Sequence, residues 1–438
     1  MTDNSDTMSP FGEWPVVING KSAIRPPQVK EEEKNHYCLR STRERLVWTH
    51  LNRLKPCAVC NGTSIDNFDE FDNLVTDISN GVRRQECKSC WSTEDSGYKS
   101  YRQHGNELWN IVGTGNSHTE VIYDRNCDAS CLYCNKKFST TWEHEINNTK
   151  HALPKILKDN HFEEKVDFEK GKQTALKIIK DVAKDYTKYA CIGVYGGEPT
   201  ITLLKTNYIE ELIEHFYENN EMWNRTIRYD INSNFNFTEE KCYQLIEKLT
   251  TILKKYPLVN FVLQPSMESI GKNFNFIRSG CDWDVVERNL DIFLRETNFE
   301  IEIKSKINNV TLQNLPNFFK LMNEKCKEFR PLSIQLDLIT YPLIFNIGLL
   351  ENNFKKYFDE VNYYFENNKP YLSNIDLIIY QVQSIMKTID QYPLEIKQQQ
   401  ATDAFEFYDY IKKERNIDLL DINPELYYYF KMLKMSLN

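Results

Sequence analysis

The chain has 438 residues and a formal net charge of −9, with a pI near 5.6. The acidic balance argues against broad binding to polymeric nucleic acid. No apolar run reaches the roughly eighteen residues of a membrane span, and the segment MTDNSDTMSPFGEW lacks the features of a signal peptide. The length allows two or three domains, and we expect a soluble cytoplasmic protein without a membrane anchor.

Cysteine usage is the most informative feature of the composition. The chain contains twelve cysteines, which is many for a reducing compartment, where structural disulfides are rare. Isolated cysteines are usually buried and inert, which is our expectation for Cys38, Cys191, Cys242, Cys281 and Cys326. Clustered thiols predict metal or iron–sulfur ligation, and here they are Cys57 and Cys60, Cys87 and Cys90, and Cys127, Cys131 and Cys134.

The first region, to about residue 115, is rich in turns. Its most basic stretch, RSTRERL at 40–46, is compatible with a local basic patch, but the charge pattern favours a solvated helix face.

Beyond that region, short apolar runs alternate with amphipathic segments, which predicts parallel βαβ units with right-handed crossovers. Such units form either an open partial barrel or a doubly wound sheet, and ligands gather at the carboxyl ends of the strands in both. From about residue 346 the pattern is helical and charged, with helices predicted at 352–367, 403–416 and 425–435. The predicted strands are 120–125, 191–195, 227–232, 258–264, 300–306 and 332–339, and the helices between them are 168–186, 202–219, one opening at 238, 282–296 and 315–325.

Cys127, Cys131 and Cys134 follow the first of these strands. A structural zinc site uses four protein ligands, whereas a catalytic metal site keeps one position open. Three thiolates would leave one iron of a cubane cluster without a protein ligand, and chemistry could occur there. The alternative is that a distant fourth cysteine closes the site.

The pattern C-x3-C-x2-C, with the aromatic Tyr133 before its last cysteine, resembles the signature of the radical S-adenosylmethionine (SAM) superfamily. The resemblance implies that the three cysteines hold a 4Fe–4S cluster whose fourth iron binds SAM. It further implies reductive cleavage of SAM to a 5′-deoxyadenosyl radical, which abstracts a hydrogen atom from the substrate. An electron donor of the flavodoxin or ferredoxin type is then a required partner.

A second motif, VYGGEPT, follows the second strand and matches the G-G-E-P motif of the same family at Gly196, Gly197, Glu198 and Pro199. Glycines allow a ligand to approach the backbone closely, and a carboxylate can accept hydrogen bonds from the amino group of SAM. Proline is suited to the first turn of a helix. The alternative for an isolated motif of this kind is a tight strand–helix turn.

Polar residues follow the third strand at Asn232, Ser233 and Asn234, where the family places contacts to SAM. Asn and Ser after a strand are also ordinary turn residues.

After the fourth strand, SMESIGKNFNFIR resembles the S-x-D-G…R segment of the peptide-modifying branch. Ser266 and Arg278 keep the spacing, and the resemblance gives Arg278 the SAM carboxylate as a partner. Glu268 and Ser269 replace the usual Asp and Gly. A surface arginine is the alternative for Arg278.

The resemblance covers residues 116–345 and implies an α/β fold, the partial (β/α)6 TIM-like barrel of this superfamily, instead of a doubly wound sheet. The expected domains are a cysteine-rich region at 1–115, the barrel at 116–345 and a helical extension at 346–438.

The two N-terminal pairs give C-x2-C-x26-C-x2-C through Cys57, Cys60, Cys87 and Cys90. Four thiolates fit a structural zinc ion or a second 4Fe–4S cluster equally well. The stretch from KPC to NELW resembles the twitch-type cluster segment of radical SAM proteins, many of them from phage and related genomes. That resemblance favours an auxiliary cluster, although in the better-known relatives the segment follows the barrel.

These features together predict a radical SAM enzyme, in the broad sense an iron–sulfur oxidoreductase, that acts on a peptide or protein side chain. An auxiliary cluster would assist net oxidation or bond formation. Radical modification of a nucleotide or small metabolite is the second possibility. A zinc-stapled binding protein on a degenerate barrel is the third.

Overall fold

The computed structural model describes residues 37–48, 52–65, 67–95, 100–103, 105–106, 116–122, 124–158, 168–185, 189–219 and 227–436. The fold is mixed α/β, with nine strands in the order β3-β2-β1-β4-β5-β6-β7-β8-β9. The segment MTDNSDTMSPFGEW, which we expected to lack the features of a signal peptide, lies outside the described residues. Parts of the segment from KPC to NELW also lie outside them. The strands are β1 Glu44–Trp48, β2 Arg53–Lys55, β3 Thr63–Ser64, β4 Asn116–Ile122, β5 Tyr189–Tyr195, β6 Ile227–Ser233, β7 Val259–Pro265, β8 Glu300–Ile307 and β9 Ser333–Leu338.

Helices connect most of these strands, as the alternating sequence pattern predicts. They are α1 Arg40–Arg43, α2 Phe68–Ser79, α3 Lys88–Asp95, α4 Thr140–Asn148, α5 Lys155–Lys158, α6 Phe168–Asp185, α7 Pro199–Leu203, α8 Tyr208–Asn219, α9 Glu239–Lys255, α10 Gly271–Ile277, α11 Trp283–Glu296, α12 Leu315–Glu328, α13 Lys356–Asn367, α14 Ile375–Met386, α15 Leu394–Arg415, α16 Leu419–Ile422 and α17 Pro424–Met435. In the described part of the chain, no helix is long and apolar enough to cross a membrane.

The chain divides into two compact units, each built from several segments. The first contains Met1–Asn126, Glu163–Asn232 and Glu247–Val262, and the second contains Cys127–Phe162, Ser233–Ile246 and Leu263–Asn438.

The first unit has a parallel sheet with an antiparallel extension. Strand β4 pairs in parallel with both β1 and β5, and β5 pairs in parallel with β6. Strands β2 and β3 continue antiparallel from β1. The sequence did not predict these first three strands, because all three are short and β1 and β2 contain charged residues.

The reading of residues 40–46 as a solvated helix face is wrong. Helix α1 ends at Arg43, and the chain continues as strand β1 from Glu44. The Arg40 side chain is buried, with 3% of its surface exposed. Its Nη1 lies 2.5 Å from Glu44 Oε1, and its guanidinium stacks on the ring of Tyr101. The basic residues of this stretch therefore do not form one exposed patch.

The long helix predicted at 202–219 is also wrong, because the structure has two helices there. Helix α7 ends at Leu203 and α8 begins at Tyr208. Thr206 Oγ1 donates to the carbonyl of Thr202, which is the kind of local side-chain contact that competes with helix continuation.

In the second unit, β8 pairs in parallel with β9. The apolar side of α11 is buried through Val286, Leu290 and Phe293, and Asp282 caps its first turn by accepting from the Asp284 amide. Each such buried aliphatic or aromatic side chain contributes about 1.5–3 kcal/mol relative to an exposed one. Helix α14 was not predicted.

Candidate active site

The loop with Cys127, Cys131 and Cys134 is held in place from the first turn of α4. The Cys127 amide donates to Thr140 Oγ1 at 3.2 Å, and Thr141 Oγ1 donates to the Cys127 carbonyl at 2.6 Å. Trp142 Nε1 donates to the Cys131 carbonyl at 2.8 Å. Trp142 itself is fully buried. These contacts fix the backbone of the loop.

The last residue of α10 and the residues that follow this helix hold the other side of the same loop. The amides of Ser130 and Leu132 donate to the carbonyls of Ser279 and Ile277 at 2.7 and 2.8 Å. Gly280, with φ of +97°, lies so close that a Cβ there would stand 2.6 Å from the Asp128 carbonyl oxygen. Only glycine fits this position without displacing the cysteine loop.

Burial and a nearby guanidinium act in opposite directions on these thiols. Burial raises the pKa of Cys131, and the charge of Arg278 partly offsets this shift. Burial also raises the pKa of Cys134 to about 12. Both shifts favour the protonated thiols of Cys131 and Cys134, and any metal that binds these two must displace their protons.

Arg278 belongs to a buried network that connects Cys131 with Glu268 and Tyr133. Its Nε and Nη2 lie 2.9 and 2.8 Å from Glu268 Oε2, and its Nη1 lies 3.9 Å from Cys131 Sγ. Tyr133 Oη donates to Glu268 Oε1 at 3.0 Å. Glu268 has no exposed surface and Arg278 has 6%. Arg278 is therefore not a surface arginine, and its guanidinium forms an ion pair with the buried carboxylate of Glu268.

Sequence reasoning noted Glu268 only as a departure from the family pattern. The signal that could have identified its role is the pair of opposite charges in SMESIGKNFNFIR, at the two ends of a segment that holds the short helix α10.

Gly196 and Gly197 are required by packing inside the first unit. Both have positive φ, +80° and +55°. A Cβ on Gly196 would lie 2.1 Å from Ile122 Cγ2, and one on Gly197 would lie 2.4 Å from the Asn126 carbonyl oxygen. Asn126 directly precedes Cys127 in the chain. The glycines thus let the β5–α7 turn lie against the chain that leads into the cysteine loop.

Replacing Gly197 with alanine should destabilise the protein more than the same change at Gly271. Both residues need a left-handed conformation, which costs a residue with a Cβ about 1–2 kcal/mol. Gly271 has φ of +56° with no atom within 4 Å of its added Cβ, whereas Gly197 faces a backbone oxygen. We expect Gly197→Ala to exceed Gly271→Ala by at least about 1 kcal/mol in urea unfolding. Equal effects would contradict the packing argument.

Glu198 caps helix α7. Its Oε1 accepts from the Thr200 amide at 3.2 Å and from Thr200 Oγ1 at 2.6 Å. Its own amide donates to the Asn126 carbonyl at 2.6 Å. Pro199 begins the helix, as predicted. The tight strand–helix turn is therefore present, and the carboxylate sits at the positive end of this helix.

The polar residues after β6 are placed by turn contacts. Asn234 Nδ2 donates to Asp128 Oδ1 at 2.7 Å, which brings Asn234 to the cysteine loop. Ser233 Oγ accepts from the Phe235 amide, and the Ser266 amide donates to the Ser233 carbonyl. Asn232 ends the second of the three segments that form the first unit.

The N-terminal cysteines form a second thiol grouping, inside the first unit. The thiol of Cys87 donates to Cys60 Sγ at 3.8 Å. This bond is the largest cause that lowers the pKa of Cys60, and the Gly62 backbone and Lys55 add to it. Burial raises the pKa of Cys57 and Cys90. All four thiols line one pocket, so the structure brings the two distant pairs together.

In the ranges that the structure describes, no three His, Cys, Asp or Glu side chains are arranged to hold a metal ion as they stand. The donor chemistry still fits metal binding. Two thiolates on one tetrahedral zinc, at about 2.3 Å each, are about 3.8 Å apart. This is the separation of the Cys60 and Cys87 sulfurs. In the other grouping, three thiols share one anchored loop and are half-buried.

No protein-family model matches the chain, and no curated protein matches it significantly. Among solved structures, anSMEcpe with bound AdoMet shares 16% identity at a TM-score of 0.38, over 57% of this chain and 61% of that one. The same protein with AdoMet and the Kp18Cys peptide gives 17% and 0.38 over the same shares. Streptococcus suis SuiB shares 15% at a TM-score of 0.35, over 70% of this chain and 59% of its own. Similarity at this level assigns no function.

Proposed function

We propose that this protein is a radical SAM enzyme whose cluster is held by Cys127, Cys131 and Cys134. The observation that carries the proposal is the contrast in exposure among the twelve cysteines: these three are half-buried, and the other nine are buried. A cluster that must bind a small molecule at an open iron needs thiols that solvent and ligand can reach. Structural thiols have no such requirement.

When bound, such a cluster supplies one electron that cleaves SAM and generates a 5′-deoxyadenosyl radical. The protein's own residues position the reactants around it. Arg278 places a positive charge near Cys131 and so offsets the negative charge of the thiolates. Asn234 fixes Asp128 within the cysteine loop. Tyr133 and Glu268 hold the arginine in one orientation.

The remaining family roles stay proposals on the motif match. They assign SAM contacts to Gly196, Gly197, Glu198 and Pro199, and to Asn232, Ser233, Asn234 and Ser266. If Arg278 binds the carboxylate of SAM, its guanidinium must pair with Glu268 and with SAM at the same time. The division into regions 1–115, 116–345 and 346–438, and the partial barrel, are proposed on the same basis.

The substrate we propose is a peptide or protein side chain, because the G-G-E-P motif and the Ser266…Arg278 segment both resemble the peptide-modifying branch. A nucleotide or small metabolite is the alternative, since a single small molecule needs only a small pocket. The test is anaerobic incubation of reconstituted protein with SAM, a low-potential reductant or flavodoxin, and separate peptide and nucleotide pools. Formation of 5′-deoxyadenosine supports the proposal, and the pool that stimulates it identifies the substrate class.

For the N-terminal pairs Cys57, Cys60, Cys87 and Cys90, the 3.8 Å contact between two sulfurs favours a single structural zinc ion. In a cubane each thiolate binds a different iron, so the sulfurs lie further apart. A second 4Fe–4S cluster remains the alternative that would support net oxidation of the substrate. The non-catalytic alternative predicts zinc here, no iron at the loop with Cys127, Cys131 and Cys134, and no cleavage of SAM.

Glu198→Gln should separate the capping role of this residue from SAM binding. Glutamine keeps an oxygen that can accept from Thr200, so we expect a change in stability below about 0.5 kcal/mol, against about 1 kcal/mol for Glu198→Ala. Loss of the negative charge should weaken SAM binding about tenfold or more, since hydrogen bonds to charged groups contribute about 1.5–3 kcal/mol. Equilibrium dialysis with reconstituted protein measures the affinity. Unchanged SAM binding by Glu198→Gln would leave the carboxylate with a capping role only.

A further inference from the structure

The C-terminal helix α15 brings a second guanidinium to the loop with Cys127, Cys131 and Cys134. Arg415, the last residue of α15, binds Glu145 of α4 with two nitrogens, since its Nε and Nη2 each lie 3.1 Å from a carboxylate oxygen. The two side chains are 8% and 16% exposed. The guanidinium also lies over the ring of Trp142, 4.5 Å from its centroid. Because Trp142 Nε1 donates to the Cys131 carbonyl, Arg415 is two contacts away from a proposed cluster ligand.

Glu145 makes a second connection between α15 and the loop. Its Oε2 accepts at 3.5 Å from the hydroxyl of Ser130, the residue before Cys131. Its Oε1 lies 3.5 Å from the hydroxyl of Tyr410, which belongs to the same helix as Arg415. A bidentate pair between an arginine and a carboxylate has a fixed geometry. Helices α4 and α15 therefore set the orientation of this guanidinium together.

The arrangement of arginine, glutamate and tyrosine repeats the one around Arg278. There, Nε and Nη2 of the arginine bind Glu268, Tyr133 donates to the same carboxylate, and Nη1 lies 3.9 Å from Cys131 Sγ. In Arg415 the same two nitrogens bind the carboxylate, and Nη1 is buried with no hydrogen-bond partner among the described residues. A buried N–H group without an acceptor is unfavourable, which indicates an acceptor other than the described side chains and backbone.

The charge of Arg415 acts on the same thiol as that of Arg278. Burial has the largest influence on the pKa of Cys131 and raises it, while the charges of Arg278 and, to a smaller extent, Arg415 oppose this shift. A cluster on this loop would experience the same two charges. A nearby cation favours the state with more negative charge, which for an iron–sulfur cluster is the reduced state.

We propose that Arg415 is a positioning residue and the second cation of the cluster site, held by Glu145 so that its charge favours the reduced cluster. Its Nη1 is the donor available to the group bound there. The electron comes from the same low-potential donor that the radical chemistry needs, and Arg415 itself gains no electron and loses no proton. This inference rests on the proposed function, because it requires a cluster on Cys127, Cys131 and Cys134.

The test is a redox titration of reconstituted full-length protein without SAM, in which electron paramagnetic resonance measures the reduced cluster at a series of solution potentials. The signal that is missing from the protein with alanine at Cys127, Cys131 and Cys134 identifies the cluster on the loop. Arg415→Met removes the cation, and Glu145→Gln removes the anion while it keeps an oxygen that can accept from Arg415. Elemental analysis gives the iron content of each variant.

Arg330→Met is the matched control. Arg330 is also partly buried, but it donates to the carbonyls of Leu294 and Phe299, next to the end of α11 and the start of β8. Its replacement should leave the titration curve of the cluster unchanged.

At a fixed solution potential, Arg415→Met should lower the ratio of reduced to oxidised cluster at least about threefold, and Glu145→Gln should raise it, both at unchanged iron content. Arg415→Lys, which keeps the charge, should stay close to the unaltered protein. A purely structural role would instead move the two variants in the same direction or leave the ratio unchanged, and either result would overturn this inference alone. If Arg415→Met fails to fold, an unchanged or lower ratio in Glu145→Gln overturns it. Absence of iron from the loop in the unaltered protein would overturn the proposed function as well.

Discussion

Simultaneous replacement of Cys127, Cys131 and Cys134 with alanine should remove about four iron atoms per chain from the reconstituted protein and abolish 5′-deoxyadenosine formation. The iron content of the unaltered protein distinguishes the two possibilities for the N-terminal site. If the N-terminal site holds zinc, the unaltered protein contains about four irons and one zinc, and the triple variant contains zinc alone. If both sites hold cubane clusters, the iron content falls from about eight atoms in the unaltered protein to about four in the triple variant. In either case the iron that is lost belongs to the loop with Cys127, Cys131 and Cys134.

Cys281 supplies the matched control, because it is the alternative ligand that could close this site. The thiol is buried, with 6% of its side chain exposed. Burial, followed by the nearby Cys131, raises its pKa well above the usual value. Cys281→Ala should keep the iron and the SAM cleavage of the unaltered protein. Loss of iron from this variant would mean a closed four-cysteine cluster, which would contradict the proposed function even if the triple variant behaved as expected.

The sequence predicted the elements whose patterning is local and left out those that tertiary contacts determine. Strands β5 to β9 were expected within two residues of their bounds, because apolar runs alternating with amphipathic helices are a strong signal. The strand predicted at 120–125 was placed too late, since β4 is Asn116–Ile122. Strands β1 to β3 have two to five residues, and β1 and β2 carry charged side chains. Their pairing with each other and with β4 stabilises them, and no local sequence pattern predicts this pairing.

The candidate sites follow the same rule. C-x-x-C spacing revealed the cysteine pairs, since both thiols of a pair belong to one short segment. Cys38 reaches the same pocket only through the fold, so the sequence presented it as an ordinary buried thiol. Likewise, Arg278 carried a family role by its spacing, but its partner Glu268 became evident only from the geometry. Motifs predict the ligands of a group, and the contacts between distant segments decide what holds those ligands in place.

Arg278→Met should destabilise the protein by about 3–5 kcal/mol, because it leaves the carboxylate of Glu268 buried without its cation. Glu268 has no exposed surface, and after the change its described partner is the Tyr133 hydroxyl alone. Removing both charges, in Glu268→Leu/Arg278→Met, should recover most of that loss, since two apolar side chains of similar size need no counter-charge. Urea unfolding of the two single variants and the double variant completes the cycle.

The exposed pair of Lys255 and Glu214 is the matched comparison, since its side chains are 63% and 48% exposed at a similar separation of 2.9 Å. Lys255→Met should change stability only slightly, because solvent screens both charges. An additive cycle at Arg278 and Glu268 would mean that burial, not pairing, sets the cost. A strongly coupled cycle would instead explain why the guanidinium stays charged and fixed 3.9 Å from Cys131 Sγ, where it can stabilise a thiolate ligand without moving.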